Sequence, residues 1–393
     1  MRIELTAQQK NAQAEFRAFV DEEIVPHANF CDREELTPPK LIKKLSNIGY
    51  LGAILPKVFG GKNIDIITYG LLNEEIGRGC SSLRSLLTVH NMVAHALYKW
   101  GNKSQKEYWL PKLASGEVIA AFALSEPNVG SDAKSIETTA TLSGDSYVLN
   151  GQKKWITYGQ IADVFLVFAQ CSGKASAFLV EKNSPGLSIQ PISGMLGVRA
   201  SMLAQLHFRN CRIPQENLVG KLGFGFSYVA SSALDYGRYS VAWGSVGIAQ
   251  ACLEACIQYT SERQQFGVYL KEHQLIRQMI TEMIANVKAA RLLCYQAGYL
   301  KEISDPNSII ETSIAKYFAS TTATKVANDA VQIHGANGCT SEYSVARYLR
   351  DAKIMEIIEG STQIQQITIA DYGYQEYMSQ PAPTVSQNLL ART

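Results

Sequence analysis

The sequence predicts an α+β protein with three parts: an N-terminal helical domain, a small central β-barrel or sandwich, and a C-terminal four-helix bundle. Three observations lead to this fold class. Apolar residues recur at helical spacing over residues 1–117, short β-rich segments fill residues 118–225, and long helical patterns return over residues 226–380. Residues 381–393 are typical of a chain-end tail.

The helical parts differ in the length of their patterns. In the first part, Thr6 precedes an apolar-periodic segment, and its hydroxyl is expected to cap that helix. In the last part, three segments beginning at Val241, Lys271 and Ser308 each exceed twenty residues, and a shorter helix is expected over 362–371. Four such helices predict a bundle.

The central part contains seven short segments rich in β-branched and aromatic residues, separated by Gly, Asn, Ser and Pro. Asn150-Gly151 is a hairpin signal within this part. Trp155 follows on a predicted strand, where a large aromatic side chain usually belongs to the core.

Composition narrows the class of function. The 393 residues carry a net charge of +2 and are 46% hydrophobic, which is ordinary for a soluble enzyme and favours neither a nucleic-acid nor a membrane partner. No apolar run is expected to span a bilayer. The eight cysteines lack metal-site spacing, so no metal is expected, and Cys252 and Cys256 are expected in the core. The pattern is typical of a reducing bacterial cytoplasm.

One loop has the composition of a ligand-binding segment. Residues 124–132, LSEPNVGSD, place hydroxyl side chains and a glycine between two predicted strands. Such a loop lets backbone N–H groups approach a ligand closely. A plain turn between strands remains the alternative at this point.

Five motifs in order carry a family resemblance. They are LSEPNVGSD at 124–132, NGQKKWIT at 150–157, RQQFG at 263–267, QIHG at 332–335, and RDAKI followed by IEGSTQIQ between 350 and 365. Together they resemble the acyl-CoA dehydrogenase family over nearly the whole chain. The resemblance implies bound FAD, an electron-transferring flavoprotein as electron acceptor, and a homo-oligomer built as a dimer of dimers.

The resemblance also implies roles for individual residues at the cofactor. Phe122, Leu124, Ser125, Gly130 and Ser131 match positions that line the flavin, Trp155 the aromatic beside its ring, Thr157 the hydroxyl facing N5, and Ser361 and Gln363 positions that touch the cofactor. Arg263, Phe266, Gln332 and Gly335 match residues that a neighbouring subunit offers to the pyrophosphate and adenine. The cofactor would then be shared across a subunit interface.

Glu359 is the candidate catalytic base. An α-proton beside a thioester is weakly acidic and needs a positioned carboxylate. Gly360 permits a tight turn after Glu359, and Ser361 can cap the helix that follows. The resemblance implies that Glu359 abstracts this proton while a hydride passes from the β-carbon to flavin N5. Glu356 is the competing carboxylate, with an ordinary ion pair as its simpler explanation.

Some members of the family place the base at the position of Gly237, which cannot act. Nearby, Asp235 and Arg238 match positions beside the pantetheine arm of the substrate, with an Asp235–Arg238 ion pair as the alternative. Ser131 is a further candidate for substrate binding.

The nature of the substrate stays open between acyl-CoA and an acyl carrier protein. Ala336, Cys339 and Tyr158 depart from the residues that most members carry. HGANGC, AKIMEIIEGS and DYGRYSVAWG are similar to members that act on carrier-protein-bound acyl groups in polyketide or peptide biosynthesis, where an alcohol carbon can be oxidised. Two further alternatives are an O2-using oxidase or monooxygenase of the same fold, and a non-catalytic flavin-binding interaction protein.

Overall fold

The computed structural model of the protein describes residues 4–378, so the predicted tail lies outside the described residues. Six helices form the N-terminal part: α1 (Ala7–Glu23), α2 (Val25–Glu34), α3 (Pro39–Asn47), α4 (Ile66–Gly79), α5 (Ser81–Trp100) and α6 (Lys103–Ser115). The predicted cap at Thr6 is confirmed, because its Oγ1 accepts a hydrogen bond of 3.2 Å from the Gln9 backbone N–H.

The central part is a mixed β-sheet. Its strands are β1 (Ala120–Ala123), β2 (Thr139–Ser143), β3 (Ser146–Ile156), β4 (Val164–Cys171), β5 (Lys174–Glu181), β6 (Leu187–Pro191), β7 (Ala204–Pro214) and β8 (Leu218–Val219). They run in the order β6-β7-β3-β2-β4-β5-β8, and β1 pairs in parallel with β4. One face of the sheet has its own apolar core, and the other packs against α5 and α6.

The predicted hairpin at Asn150-Gly151 is wrong. The chain reverses earlier, so that Ser143 pairs with Ser146, while Asn150 and Gly151 lie inside β3 at a register shift against β7. Gly151 has a φ of 141°, and a β-carbon there would stand 2.7 Å from the Thr138 α-carbon. The glycine therefore serves a bulge and a close backbone contact, and it does not form a turn.

The C-terminal part contains α7 (Ser231–Glu262), α8 (Gln274–Glu302), α9 (Ser308–His334), α10 (Val345–Met355) and α11 (Thr362–Met378), with a two-stranded hairpin, β9 (Gln264–Gln265) and β10 (Val268–Tyr269), between α7 and α8. The predicted short helix over 362–371 extends further, to Met378, and α10 was not among the predicted bundle helices. The sequence of helical, β and helical parts confirms the predicted fold class.

Helix α7 is the central element of the bundle. A one-turn π-helix over Gly225–Ala230 leads into it, and the stretch to Glu262 is the one helical segment of the described residues that is long and apolar enough to cross a membrane. The expectation that no run has this length is therefore wrong. The relevant window is 78% buried inside the protein, as befits a core helix.

Close helix packing places α7 against the N-terminal part. A β-carbon on Gly77 of α4 would meet the Gly244 α-carbon at 2.8 Å, and one on Gly70 would meet the Trp243 ring at 2.4 Å. These glycines let α4 and α7 approach closely. Helix α5 packs beside them and also contacts β1, so the space between α5, α7 and the loop before α11 lies where all three parts meet.

Candidate active site

The segment between α10 and α11 forms a turn that projects Glu359. Glu359 has a φ of 54° and Gly360 a φ of 88°, so two successive residues adopt the left-handed conformation. This conformation costs a residue with a side chain about 1 kcal/mol or more, which surrounding contacts must offset. Ser361 then caps α11, because its Oγ accepts a hydrogen bond of 3.4 Å from the Ile364 N–H.

Three side chains hold this turn by its carbonyl groups. Arg238 Nε donates to the Glu359 carbonyl at 3.2 Å, and Lys316 Nζ donates to the Gly360 carbonyl at 2.7 Å. Gln365 Nε2 donates to both carbonyls, at 3.2 and 3.1 Å. The three residues come from α7, α9 and α11, so the main chain around Glu359 is fixed from three helices.

The Glu359 side chain is half-buried, and one of its two carboxylate oxygens is buried without a hydrogen-bond partner in the described residues. Its Oε2 makes no hydrogen bond within the described residues. Burial raises the pKa of Glu359 to about 7, although the charges of Arg238, Lys316 and Arg84 oppose the rise. A carboxylate with a pKa near neutrality can accept a proton at physiological pH.

Gly237 of α7 and Met92 of α5 lie against this carboxylate. A β-carbon on Gly237 would stand 2.5 Å from Glu359 Oε2 and 2.8 Å from Met92 Sδ. The position that the family resemblance gave as the alternative location of the base therefore faces the same point in space. Because Gly237 has no side chain, the Glu359 carboxylate can occupy that position.

Asp235, Arg238 and Glu356 are the other candidate residues near Glu359 in the sequence analysis, and each has a different set of contacts. Asp235 forms an ion pair with Lys301, so the alternative ion pair with Arg238 is absent, and Asp235 Oδ1 is buried without a partner in the described chain. Arg238 contacts the turn itself. Glu356 pairs with Lys353 at 3.1 Å, in agreement with the simple ion-pair explanation for it.

The loop that follows β1 is anchored by a buried ion pair that the sequence analysis missed. Lys153 Nζ lies 2.7 Å from Glu126 Oε1 and donates to the Leu124 carbonyl at 3.0 Å. Glu126 also accepts from the backbone N–H groups of residues 137 and 138. Burial lowers the pKa of Lys153 to about 8, against the opposing effect of Glu126. The sequence placed both residues inside motifs, but only their burial shows that they pair.

The residues expected at the flavin lie in and after β1 and at the end of β3, and they differ in exposure. Trp155 has a φ of 64° and is 47% exposed, contrary to the expectation of a core position for its ring. The Lys154 N–H donates to the Ser125 carbonyl at 2.9 Å, which brings the β1 loop to the edge of β3 beside the indole. Thr157 and Phe122 are half-buried, Leu124 is buried, and Gly130 and Ser131 are exposed.

This surface fits the isoalloxazine of FAD. An exposed indole in a strained backbone conformation is costly unless a flat apolar partner covers it. A β-carbon on Gly130 would meet no atom within 4 Å, so the loop leaves its backbone open to a ligand. Ser361 is half-buried and Gln363 is exposed at the start of α11. No cluster of His, Cys, Asp or Glu suited to a metal ion occurs among residues 4–378.

A second group of candidate residues lies at the far end of α7 and α9. Arg263, Gln332 and Gly335 are exposed, and Phe266, at the tip of the β9–β10 hairpin, is 95% exposed. Tyr259 stacks on His334 at 4.2 Å and joins these two helix ends. Within the described chain, no hydrogen bond, ion pair or ring contact links this group to Ser125 or Trp155.

The three departures from the family pattern have different environments. Tyr158 is fully buried and its hydroxyl donates to the Ser82 carbonyl at 3.0 Å, with Thr37 Oγ1 at 2.8 Å, so the larger side chain joins the helical domain to the sheet. Ala336 and Cys339 are exposed in a short 3-10 helix after α9. Cys252 and Cys256 are buried, as expected.

Comparison with known families matches all three parts of the chain. The acyl-CoA dehydrogenase N-terminal domain matches residues 6–117, the middle domain residues 121–211, and the C-terminal domain residues 223–373. The short-chain specific acyl-CoA dehydrogenase of Rattus norvegicus mitochondria is 39% identical over 96% of this chain and 92% of its own length. The acryloyl-CoA reductase (NADH) of Anaerotignum propionicum is 39% identical over 94% and 95%.

Solved structures show the same relationship. Butyryl-CoA dehydrogenase from Megasphaera elsdenii superposes with a TM-score of 0.91 at 34% identity, covering 95% of this chain and 99% of its own. A chain solved in work on the electron transferring flavoprotein of Acidaminococcus fermentans gives 0.92 at 37%, covering 95% and 99%. The prolyl acyl carrier protein oxidase AnaB gives 0.90 at 30%, covering 94% and 99%.

Fold, motifs and site thus define a flavin-dependent oxidoreductase of the acyl-thioester class. The chain belongs to the acyl-CoA dehydrogenase family. FAD is the cofactor of this family, and a glutaryl-CoA dehydrogenase from Mycobacterium smegmatis, 29% identical with a TM-score of 0.90 over 94% of this chain and 95% of its own, was crystallised with FADH2.

Proposed function

We propose that this protein removes hydrogen from the α- and β-carbons of an acyl thioester, with Glu359 as the base that accepts the α-proton. The observation that carries the proposal is the Glu359 carboxylate. Its Oε2 is buried and has no hydrogen-bond partner within the described chain, and the pKa of Glu359 is raised to about 7. An unsatisfied buried carboxylate is costly, and proteins retain such groups where they react.

The residues around Glu359 support this reaction. The N–H groups of Glu359 and Gly360 make no hydrogen bond within the described chain, so they are available as donors to a thioester carbonyl beside the base. Arg238, Lys316 and Arg84 favour the ionised carboxylate, which is the form that accepts the α-proton. FAD, when bound, would supply the two-electron acceptor for the hydride. Trp155, Ser125 and Thr157 would hold its ring system.

The Glu359→Gln variant tests the role of the base. We expect a loss of turnover of about 10²- to 10⁴-fold, the usual contribution of a positioned base, with FAD content unchanged because the amide occupies the same volume. Turnover is measured with an artificial electron acceptor, and FAD content by absorbance of the purified protein. Glu356→Gln is the matched control, because its carboxylate pairs with Lys353 and is expected to matter little. Near-normal turnover by Glu359→Gln would exclude the proposed role.

The thioester carrier is proposed to be CoA, with an acyl carrier protein as the second candidate. The relatives and structures above that are named for CoA substrates are 29–39% identical to this chain, and AnaB, named for a carrier protein, is 30% identical. FkbI, solved in work on a methoxymalonyl extender unit, is 30% identical with a TM-score of 0.85 over 94% of this chain and 100% of its own. One acyl group presented on CoA and on a carrier protein distinguishes the candidates by kcat/KM. Reduction of the flavin by the carrier-bound form of an alcohol-bearing acyl group, and not by its CoA form, would favour the second candidate.

We further propose an electron-transferring flavoprotein as acceptor, a dimer of dimers in solution, and a cytoplasmic location in a bacterium. The similarity to the chain from Acidaminococcus fermentans supports the acceptor, and the 95% exposure of Phe266 supports an interface over the β9–β10 hairpin. Sedimentation tests the tetramer, and cell fractionation tests the location. Stoichiometric peroxide release during turnover would instead indicate the O2-using alternative.

A further inference from the structure

Helix α5 carries a buried arginine that is paired with no acid. The Arg84 side chain has no exposed surface, and none of its hydrogen bonds goes to a carboxylate within the described chain. Arg78 is also buried, on α4, but it forms ion pairs with three acidic residues. An unpaired buried guanidinium is costly, so its retention indicates a partner outside the folded chain.

The hydrogen bonds of Arg84 leave its donors poorly satisfied. Its guanidinium has five N–H groups. One short bond of 2.7 Å goes from Nη1 to Thr88 Oγ1, and the contacts to Ser240 and Ser85 hydroxyls measure 3.5 and 3.3 Å. A thioether, Met355 Sδ, takes the place of an acceptor at 3.4 Å, and Nε has no partner within the described chain.

Arg84 and Glu359 lie along the same stretch of the interface between α5 and α7, called the gap here, in which side chains of the two helices touch. On α5, Arg84, Thr88 and Met92 follow one another at intervals of four residues, so they share one face. At the Met92 end, Gly237 faces Glu359 Oε2. One helical turn away from Met92 on α5, the Thr88 hydroxyl contacts the Ser240 hydroxyl of α7 at 2.6 Å.

Counted from the Met92 end, the guanidinium of Arg84 is the last group along this gap. A β-carbon on Gly244 would stand 2.3 Å from Arg84 Cδ, which places the arginine against α7 beyond Ser240. Since Nη1 reaches back to Thr88, the guanidinium lies about one helical turn, ~5 Å, beyond the level of the base. An acyl chain held at its α-carbon by Glu359 would therefore direct its far end toward Arg84.

A purely electrostatic role toward Glu359 does not account for this arrangement. Arg238 and Lys316 act more strongly than Arg84 on the pKa of Glu359, and both also hold its turn. Arg84 instead directs its donors to the two hydroxyls of the gap. Burial lowers the pKa of Arg84 to about 10, so it stays charged at neutral pH.

We propose that Arg84, with Thr88 and Ser240, binds a carboxylate at the far end of the acyl chain, so that the substrate is the thioester of a short dicarboxylic acid. This rests on the proposed acyl-thioester dehydrogenase function. A carboxylate matches the guanidinium fork in geometry and charge. It would replace the Arg84 carbonyl and Asn73 Oδ1 as the acceptors to which the Thr88 and Ser240 hydroxyls donate. Met92 and Met355 flank the gap, and such flexible side chains can move aside as the acyl chain enters.

The test compares acyl groups of equal length that end in a carboxylate or a methyl group. Succinyl-, glutaryl- and adipyl-CoA are measured against butyryl-, pentanoyl- and hexanoyl-CoA, by kcat/KM with the FAD-loaded protein and by calorimetric binding to Glu359→Gln. We expect one carboxylate-ended compound to exceed its methyl-ended counterpart at least tenfold in both measurements. Preference for the methyl-ended series in the unaltered protein would overturn the proposal while leaving the dehydrogenase function intact.

Variants assign the preference to Arg84. Arg84→Met is expected to lower kcat/KM for the preferred carboxylate-ended compound by about 10- to 100-fold relative to the methyl-ended one, the range for lost charge-assisted hydrogen bonds. Arg347→Met is the matched control, since Arg347 is also buried but donates to Asn29 and the Gly79 carbonyl. It is expected to keep the preference. Equal losses on both series in Arg84→Met would overturn the proposal, and inactivity of the unaltered protein on every thioester would remove the dehydrogenase function as well.

Discussion

The carboxylate of Glu359 lies against the α-carbon of Gly237, although 122 positions of sequence separate the two residues. A β-carbon on Gly237 would come within 2.5 Å of Oε2, closer than real β-carbons approach other atoms. The absence of a side chain on Gly237 is therefore a condition for the observed position of the Glu359 carboxylate on the α10–α11 turn.

Replacing this glycine is expected to displace the base. In Gly237→Ala the added methyl group would contact both the Glu359 carboxylate and Met92 Sδ, so the carboxylate must move. We expect a loss in kcat/KM of at least about tenfold, since small misplacements of reacting groups are costly, with FAD content retained. Gly373→Ala on α11 is the control, because a β-carbon there meets no atom within 4 Å. Equal activity of the two variants would contradict the prediction.

The pH dependence of the reaction follows from the pKa of Glu359. Burial raises this pKa to about 7 in the substrate-free protein, and only the ionised form accepts a proton. We therefore expect kcat/KM to be low in acid, to rise with pH, and to reach half its plateau near pH 7. Steady-state rates between pH 5 and 9 check this. A rising limb near pH 4.5 would show that an ordinary, solvated carboxylate acts instead.

Lys316 is expected to set the position of that limb. Its ammonium favours the ionised Glu359 and holds the Gly360 carbonyl at 2.7 Å. In Lys316→Met the loss of a positive charge should move the rising limb to higher pH by about one unit, the lower end of the usual effect of a close opposite charge. Lys325→Met, on the same helix, removes an exposed ion pair with Glu282 and should leave the profile in place. A loss of rate without a shifted limb would show that Lys316 is only structural.

The buried pair Lys153–Glu126 is expected to support both stability and cofactor retention. Lys153→Met leaves the Glu126 carboxylate buried without its counter-charge, which typically costs about 3–5 kcal/mol. Because Glu126 holds the loop beside Trp155, we also expect FAD to be lost more easily on dilution. Thermal unfolding and absorbance check these effects. Lys182→Met breaks a more exposed pair with Asp163 and should change little. Similar behaviour of the two variants would contradict the prediction.

The sequence predicted the elements of the fold because each has a local signal. The period of apolar residues distinguished helices from strands, and Thr6 and Ser361 were identified as caps from their place before a helix. The prediction of a hairpin at Asn150-Gly151 was wrong because pairing with residues distant in sequence decides the structure there. The neighbouring strand β7 continues past that point, β2 begins opposite Asn150, and the glycine accommodates Thr138 instead of a turn.

The candidate site was only partly predictable. Glu359 and the loop at Ser125 lie in motifs, so the resemblance located them. Lys316 and Arg84 went unnoticed because what matters about them is their burial and the partners that other helices and loops provide. Gly360 lies 44 positions from Lys316, and Ser240 lies 156 positions from Arg84. No spacing rule links residues so distant in sequence before the helices are packed.

The left-handed turn at Glu359 and Gly360 has a mechanical consequence. Donors on α7, α9 and α11 bind the carbonyls of two adjacent peptide groups, so the Glu359 carboxylate keeps its position only while those helices keep theirs. Mild warming or low denaturant that loosens the helix packing will then abolish turnover before circular dichroism registers any loss of helix. Turnover is therefore expected to report the loss of helix packing at a lower temperature or denaturant concentration than the circular dichroism spectrum does.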